Sequence, residues 1–120
     1  MTTLTERRHA GDFIISVASG NRSFENGTLL SGLNLGVGTV VALDGNNKLI
    51  AFDGTQDSGG GPDLQAEGIL LYDSDASAGD LAVAYHARDA EVNVNLLTYA
   101  ASLAETVASL KRYSCGIVAR

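Results

Sequence analysis

Short aliphatic runs, each bounded by glycine, aspartate or asparagine, recur along the whole 120-residue chain. Fourteen glycines against a single proline indicate many turns, which suits a chain of short strands better than a helical bundle. The apolar content comes from alanine, leucine, valine and isoleucine, and tryptophan is absent. The sequence therefore predicts a mostly β, α+β single domain with a minor helical part and one compact aliphatic core.

Charge and composition exclude several classes of partner. A net charge of −6 argues against nucleic acid, because binding a phosphate backbone requires clustered lysine and arginine. Runs such as "GTVVAL" are far shorter than the ~20 residues of a membrane-spanning helix, and no secretory signal is apparent. We therefore expect no membrane association and synthesis in the cytoplasm of the host cell. Cys115 is the single cysteine and is expected to be a small buried residue, with a reactive thiol as the alternative.

The first residues form a polar segment without a sustained apolar period. We predict a flexible arm over residues 1–10 and a folded domain over residues 11–120, beginning with the strand "DFIISVAS". Asn26 and Gly27 are typical turn formers and predict a break between two strands. Further on, "DGNN" separates two apolar runs, and Asp44 with Gly45 predicts a tight hairpin.

Two loops invite a ligand hypothesis. "GTQDSGGGPDLQ", residues 54–65, is rich in glycine but lacks the Lys and Ser or Thr that follow a phosphate-binding loop, so an exposed loop is expected. Asp73, Asp75 and Asp80 lie in a turn whose twelfth position is not the Glu that a calcium loop requires. A solvated turn is favoured there, with adventitious divalent binding as the alternative, and we predict no metal site and no cofactor.

One helix is expected near the C-terminus. Ser102 and Glu105 form a capping box, and Leu103, Val107 and Leu110 then share one face at spacings of three and four. The final "GIVAR" is predicted to return to a strand.

The stretch "YHARDAEVN", residues 85–93, gathers most of the charge of its region. Alternation places apolar side chains on one phase before Arg88 and on the other phase after Asp89, so a bulge or bend is expected between them. The outside of this corner would then carry the polar side chains Arg88, Asp89, Glu91 and Asn93. The alternatives are a contact surface for another protein and a catalytic pair, since two carboxylates at positions 89 and 91 of a strand lie about 6.6 Å apart. A solvated bend does not supply the desolvated carboxyl that such catalysis needs, so no catalytic residue is predicted.

Several words of the sequence occur in an order that resembles the bacteriophage head decoration protein family, the lambda D-like capsid-stabilising proteins. They are "TERRHAGDFIISVASGNRSFENGTLLSG", "LGVGTVVA", "EGILLYD", "ASAGDLAVAYHARDAEVN", "LTY" and "GIVAR". The resemblance runs from about Thr5 to the C-terminus, whereas "TQDSGGGPDLQ" has no matching word and the helical segment is shorter than the alanine-rich version of the family.

The resemblance implies a compact β-barrel or β-clip-like domain that forms a homotrimer on the outside of a phage head. It implies binding at three-fold sites to the major capsid protein, and stabilisation of the expanded shell against packaged DNA. The arm that would order on the capsid comprises Thr2, Thr3, Leu4, Thr5, Glu6, Arg7, Arg8 and His9. The alternative is a small ligand- or carbohydrate-binding β-barrel, against which the lack of tryptophan argues.

Overall fold

The computed structural model describes residues 8–18, 23–44, 46–52, 66–99 and 117–120. These residues form ten strands and one 3₁₀ turn, Val94–Leu96. The strands are β1 Ile14–Val17, β2 Phe24–Leu29, β3 Asn34–Leu35, β4 Val40–Leu43, β5 Leu49–Ala51, β6 Ala66–Leu70, β7 Ser74–Asp75, β8 Leu81–His86, β9 Ala90–Val92 and β10 Ile117–Ala119. The mostly β class is confirmed. The described residues contain no α-helix, and the helix predicted from Ser102 onward lies outside them.

Five strands close into a barrel in the order β2-β5-β4-β6-β8. The long antiparallel pair of β2 with β8, from Phe24 opposite His86 to Leu29 opposite Leu81, forms one side of it. β4 lies between β5 and β6 and is antiparallel to both, and a parallel contact of Leu29 with Leu49 completes the ring. Closure leaves these five strands without free edges, which removes a common route to aggregation.

Two further sheets lie outside the barrel. β9 is the centre of a three-stranded sheet, with β1 antiparallel on one side and β10 parallel on the other. β3 and β7 form a separate two-stranded ribbon. The sheet β1-β9-β10 brings the N-terminal and C-terminal parts of the described chain together.

The two faces of β4 bury different clusters of side chains, so the expectation of one core is wrong. Val41 points into the barrel, where it packs with Leu29, Leu49, Leu70 and Val83 from the other four strands. Val40 and Ala42 point outward and pack with residues of the outer sheet and its flanks, among them Phe13, Val92 and Ile117. A strand covered on both faces reads as the continuous apolar run "VVAL" rather than as an alternating one.

Close backbone packing explains two glycines inside strands. A Cβ on Gly68 of β6 would lie 2.5 Å from the His86 carbonyl oxygen and 2.6 Å from Tyr85 Cδ2, so the barrel wall has no room for a side chain there. Gly27 lies within β2, where a Cβ would approach Leu49 and Tyr85 to 3.0 and 3.1 Å. The turn predicted at Asn26 and Gly27 is therefore wrong, since β2 runs straight through it and the glycine serves packing.

The predicted hairpin is confirmed, because β4 and β5 pair antiparallel with Leu43 opposite Leu49. Its turn depends on Asp44, whose carboxylate accepts hydrogen bonds from the Asn46 and Lys48 backbone N–H groups at 2.8 and 2.9 Å. The residue with positive φ is Asn47, at 61°, and Gly45 lies outside the described residues. The strand predicted for "GIVAR" is also confirmed, as β10.

Candidate functional site

Of the predicted N-terminal arm, the structure describes only Arg8, His9 and Ala10, and residues 1–7 lie outside the described part. Arg8 belongs to the segment predicted to be a flexible arm, but its side chain is bonded to the folded domain. Its Nε and Nη2 donate to the two carboxylate oxygens of Asp12 at 2.8 and 2.6 Å. Nη1 donates to the Val37 carbonyl at 3.1 Å, and Nη2 also donates to the Leu96 carbonyl at 2.5 Å. One side chain thus joins three separate segments of the domain.

The planar guanidinium explains this arrangement, because it presents five N–H donors in a fixed fork that matches a carboxylate. The hydrogen bonds from Arg8 lower the pKa of Asp12 below its usual value, and Asp12 in turn raises the pKa of Arg8. The ion pair therefore persists at neutral pH and weakens only when acid protonates the carboxylate.

Gly38 lies directly against the Arg8 guanidinium. Its φ is 83°, a conformation that side chains with a Cβ rarely adopt. A Cβ on Gly38 would also lie 2.5 Å from the Leu96 carbonyl oxygen and 3.0 Å from Arg8 Nη2. We call Arg8, Asp12, Val37, Gly38 and Leu96 the Arg8 seat. The seat was not predicted from the sequence, although the four-residue spacing of an arginine and an aspartate is a local signal for such an ion pair.

Between Arg8 and β1 the chain makes a tight turn. Gly11 has a φ of 66°, its N–H donates to the Leu71 carbonyl at 2.8 Å, and its carbonyl accepts from the Ile14 N–H at 3.0 Å. The following Phe13 is fully buried beneath the outer sheet. The chain is therefore held at several successive points from Arg8 onward.

β1 presents an apolar edge to solvent. Ile15 is 53% exposed and Val17 is 43% exposed, and within the described ranges β1 pairs only with β9. Val118 on the opposite edge strand, β10, is 37% exposed. No charged residue occurs within "IISV", so this edge lacks the lysines and prolines that usually protect edge strands. An edge of this kind is suited to contact with another polypeptide.

The polar stretch after β8 does form a break between two strands. β8 ends at His86, β9 begins at Ala90, and Asp89 has a φ of 52°. Arg88 is ion-paired with Glu25 of β2. The turn lies where the alternation of the sequence changes phase.

The other predicted corner residues have separate partners and do not converge. Glu91 accepts a hydrogen bond from Arg120 Nε at 3.0 Å on the exposed face of the outer sheet. The Asn93 side chain accepts from the Asn95 N–H at 3.1 Å and caps the 3₁₀ turn. Asp89 is exposed and Glu91 is half-buried, so this stretch lacks the desolvated carboxyl of an acid–base pair.

His86 has a different environment from its polar neighbours in sequence. It is fully buried, with its ring centroid 5.1 Å from that of Phe24 and 6.2 Å from that of Phe13. Neither ring nitrogen has a hydrogen-bond partner among the described residues. Burial lowers the pKa of His86 to about 4, so the imidazole is neutral at pH 7.

The three aspartates considered for calcium are also used separately. Asp73 accepts from the Val37 N–H at 2.8 Å, Asp75 binds the Ser77 hydroxyl and N–H, and Asp80 pairs with Lys48 Nζ at 2.6 Å. Across the described ranges, no group of three or more histidine, cysteine or acidic side chains is arranged to hold a metal ion. The predicted helix cap at Ser102 and Glu105, Cys115 and the loop 54–65 lie outside these ranges.

One open groove of about 280 Å³ lies on the outer wall of the barrel. Its lining includes Leu35, Val40, Phe52, Thr98 and Tyr99, and no charged side chain or histidine contributes to it. The described lining therefore supplies hydroxyl groups but no histidine or charged side chain that could activate one of them as a nucleophile. No helix in the part of the chain that the structure describes has the length and apolar character needed to cross a membrane.

A comparison with protein families matches residues 3–114 to the family described as "Bacteriophage lambda head decoration protein D". No curated protein matches the chain in a direct search. The family match extends over nearly all of the 120 residues, including the Arg8 seat, the barrel and the corner. This chain therefore belongs to the bacteriophage lambda head decoration protein D family.

Proposed function

We propose that this chain is a structural protein of a tailed, double-stranded DNA phage, made in the host cytoplasm and bound as a homotrimer at three-fold sites on the outer surface of the head. Its partner is the major capsid protein, and its effect is to stabilise the expanded shell against packaged DNA. The observation that carries this proposal is the family match over residues 3–114, since the family consists of head decoration proteins.

The architecture suits a mechanical role. The barrel interior is filled by aliphatic side chains from all five strands, so the barrel is a packed body rather than a ligand container. The outer wall is covered by a second apolar layer under the sheet β1-β9-β10. Such a body transmits load with little deformation, because close-packed interiors have low compressibility.

The outer sheet supplies the contact features. Its edge strand β1 exposes Ile15 and Val17, and the N-terminal segment enters the domain at the adjacent Arg8 seat. An extended segment can add to the sheet of a partner through main-chain hydrogen bonds. The capsid-binding arm expected from the sequence includes Arg8 and His9. Because the Arg8 side chain is bonded within its own domain, we propose residues 1–7 as the part of that arm that binds the capsid, and the β1 edge as a contact between polypeptides.

Binding to isolated heads tests this function. Purified protein mixed with expanded, undecorated heads should sediment with them to a saturating stoichiometry and raise their resistance to heat or osmotic shock. Heads that bind the protein without gaining resistance would contradict the stabilising role, and heads that do not bind it would contradict the decoration role.

A further inference from the structure

The Arg8 seat is more elaborate than the entry of a chain into a domain requires. Arg8 uses both sides of its guanidinium, with two bonds to the Asp12 carboxylate and two to the backbone carbonyls of Val37 and Leu96. The two carbonyls belong to the loop before β4 and to the 3₁₀ turn after β9. The guanidinium therefore fixes Arg8 with respect to both the barrel and the outer sheet.

The geometry of the seat also requires glycine at position 38 and arginine at position 8. Gly38 has φ of 83°, and a Cβ there would meet Arg8 Nη2 and the Leu96 carbonyl oxygen. The bonds to Val37 and Leu96 require a donor group that reaches both carbonyls while it pairs with Asp12. Lysine carries a single nitrogen and cannot reproduce this planar fork.

Because Arg8 is fixed to the domain, it limits the region that the residues before it can reach. Residues 1–7 would span roughly 23 Å at ~3.3 Å per residue if they were fully extended. Fixing Arg8 confines residues 1–7 to a limited region around the Arg8 seat. This raises the effective concentration of residues 1–7 at a binding site within that region. It also lowers the conformational entropy that the arm loses on binding.

We propose that Arg8 is a positioning residue, whose contacts with Asp12, Val37 and Leu96 fix where residues 1–7 leave the domain and so set which part of the capsid surface they reach. This inference rests on the proposed function of residues 1–7 as the capsid-binding arm. Arg8 itself binds its own domain, and its effect on the capsid passes through the arm.

A double-mutant cycle on head binding tests the proposal. The four proteins are the full chain, Arg8→Gln, a deletion of residues 2–7, and the deletion combined with Arg8→Gln. Dissociation constants for expanded, undecorated heads are measured at one ionic strength. We expect Arg8→Gln to weaken binding several-fold in the full chain and to change nothing in the deletion background.

Other outcomes overturn the proposal. An equal loss from Arg8→Gln in both backgrounds would mean that Arg8 contacts the capsid directly or acts through folding. Unchanged binding of Arg8→Gln in the full chain would mean that the seat does not position the arm. If the deletion alone leaves binding unchanged, the proposed function of the arm fails instead, which is a separate result.

Two further variants separate positioning from stability and charge. Asp12→Asn removes the ionic partner of Arg8 and should reproduce the binding loss while the protein remains folded. Arg120→Gln makes the same change of charge at an exposed arginine that pairs with Glu91 on the outer sheet. It should leave binding unchanged, and a loss equal to that of Arg8→Gln would show that overall charge, not the seat, controls attachment.

Discussion

The imidazole of His86 meets the ring of Phe24 in an edge arrangement, with centroids 5.1 Å apart and an interplanar angle of 63°. Phe24 and His86 are also opposite each other in the β2-β8 pair. The histidine thus lies between the barrel wall and the outer sheet, next to Phe13, and it is not exposed to solvent. A charge at this point would be buried without a partner among the described residues.

Protein stability should therefore fall on mild acidification. The pKa of His86 is about 4 in the folded chain against an ordinary value of 6.5, so between these pH values the unfolded chain binds a proton that the folded chain does not. The contribution of neutral His86 to the free energy of unfolding is fully present above pH 6.5. It is lost as the pH falls toward 4, and the total loss is about 3 kcal/mol. Urea unfolding at pH 7 and at pH 4.5 measures this difference.

His86→Leu should abolish most of that pH dependence, since leucine fills an apolar site without titrating. His9→Gln is the matched control, because His9 is the other histidine of the chain and is exposed. An equally steep loss of stability in His86→Leu would show that other groups cause the acid sensitivity.

Gly68→Ala should destabilise the barrel by about 2 kcal/mol or more, a typical cost of overpacking. Its new methyl group would press on the His86 carbonyl oxygen, and backbone in the centre of a barrel wall cannot move aside easily. Gly36→Ala is the control, since the nearest atom to its Cβ would be Asp73 Oδ1 at an ordinary 3.5 Å. Equal melting temperatures for the two variants would contradict the packing described at β6.

The corner after β8 should be tolerant of charge removal. Asp89→Asn with Glu91→Gln deletes the exposed pair of Glu91 with Arg120, whose contribution to stability is at most about 1 kcal/mol. Asparagine also accepts the positive φ of position 89. We expect a folded protein that still binds heads. A hydrolytic activity present in the wild type and lost in this variant would refute the structural interpretation.

The protein should be a trimer in solution, because a protein that occupies a three-fold site matches that symmetry and the β1 edge exposes apolar side chains. Sedimentation equilibrium should give about 37 kDa, three times the 12.4 kDa of one chain. Ile15→Lys with Val17→Lys tests whether the β1 edge contributes to the subunit contact, in which case the mass falls. A monomeric wild type at concentrations well above micromolar would contradict the trimer.

Local patterns in the sequence were sufficient for most strands. The run "VVAL" and the turn at Asp44 determine the β4-β5 hairpin, because both depend on neighbouring residues. The phase change near Asp89 likewise follows from alternation within one segment. These features need no knowledge of distant partners.

Features that depend on distant contacts were not predicted. Gly27 has the composition of a turn former, yet the approach of Leu49 and Tyr85 makes it a packing residue inside β2. Tyr85 and His86 lie on opposite faces of β8, as the alternation of a strand predicts. The face that carries His86 is covered by Phe13, which lies 73 residues earlier in the chain. The Arg8 seat depends in the same way on carbonyls of Val37 and Leu96. Partner choice between remote segments is a tertiary property that periodicity does not encode.

Electron microscopy of expanded heads, with and without the purified protein, shows directly whether the protein decorates them. We expect added density on the outer surface, arranged as three copies around each three-fold site, with extended density leading from the Arg8 seat of each copy onto the capsid protein. Heads that gain no density in the presence of excess folded protein, or that gain it only away from the three-fold sites, would refute decoration at these sites.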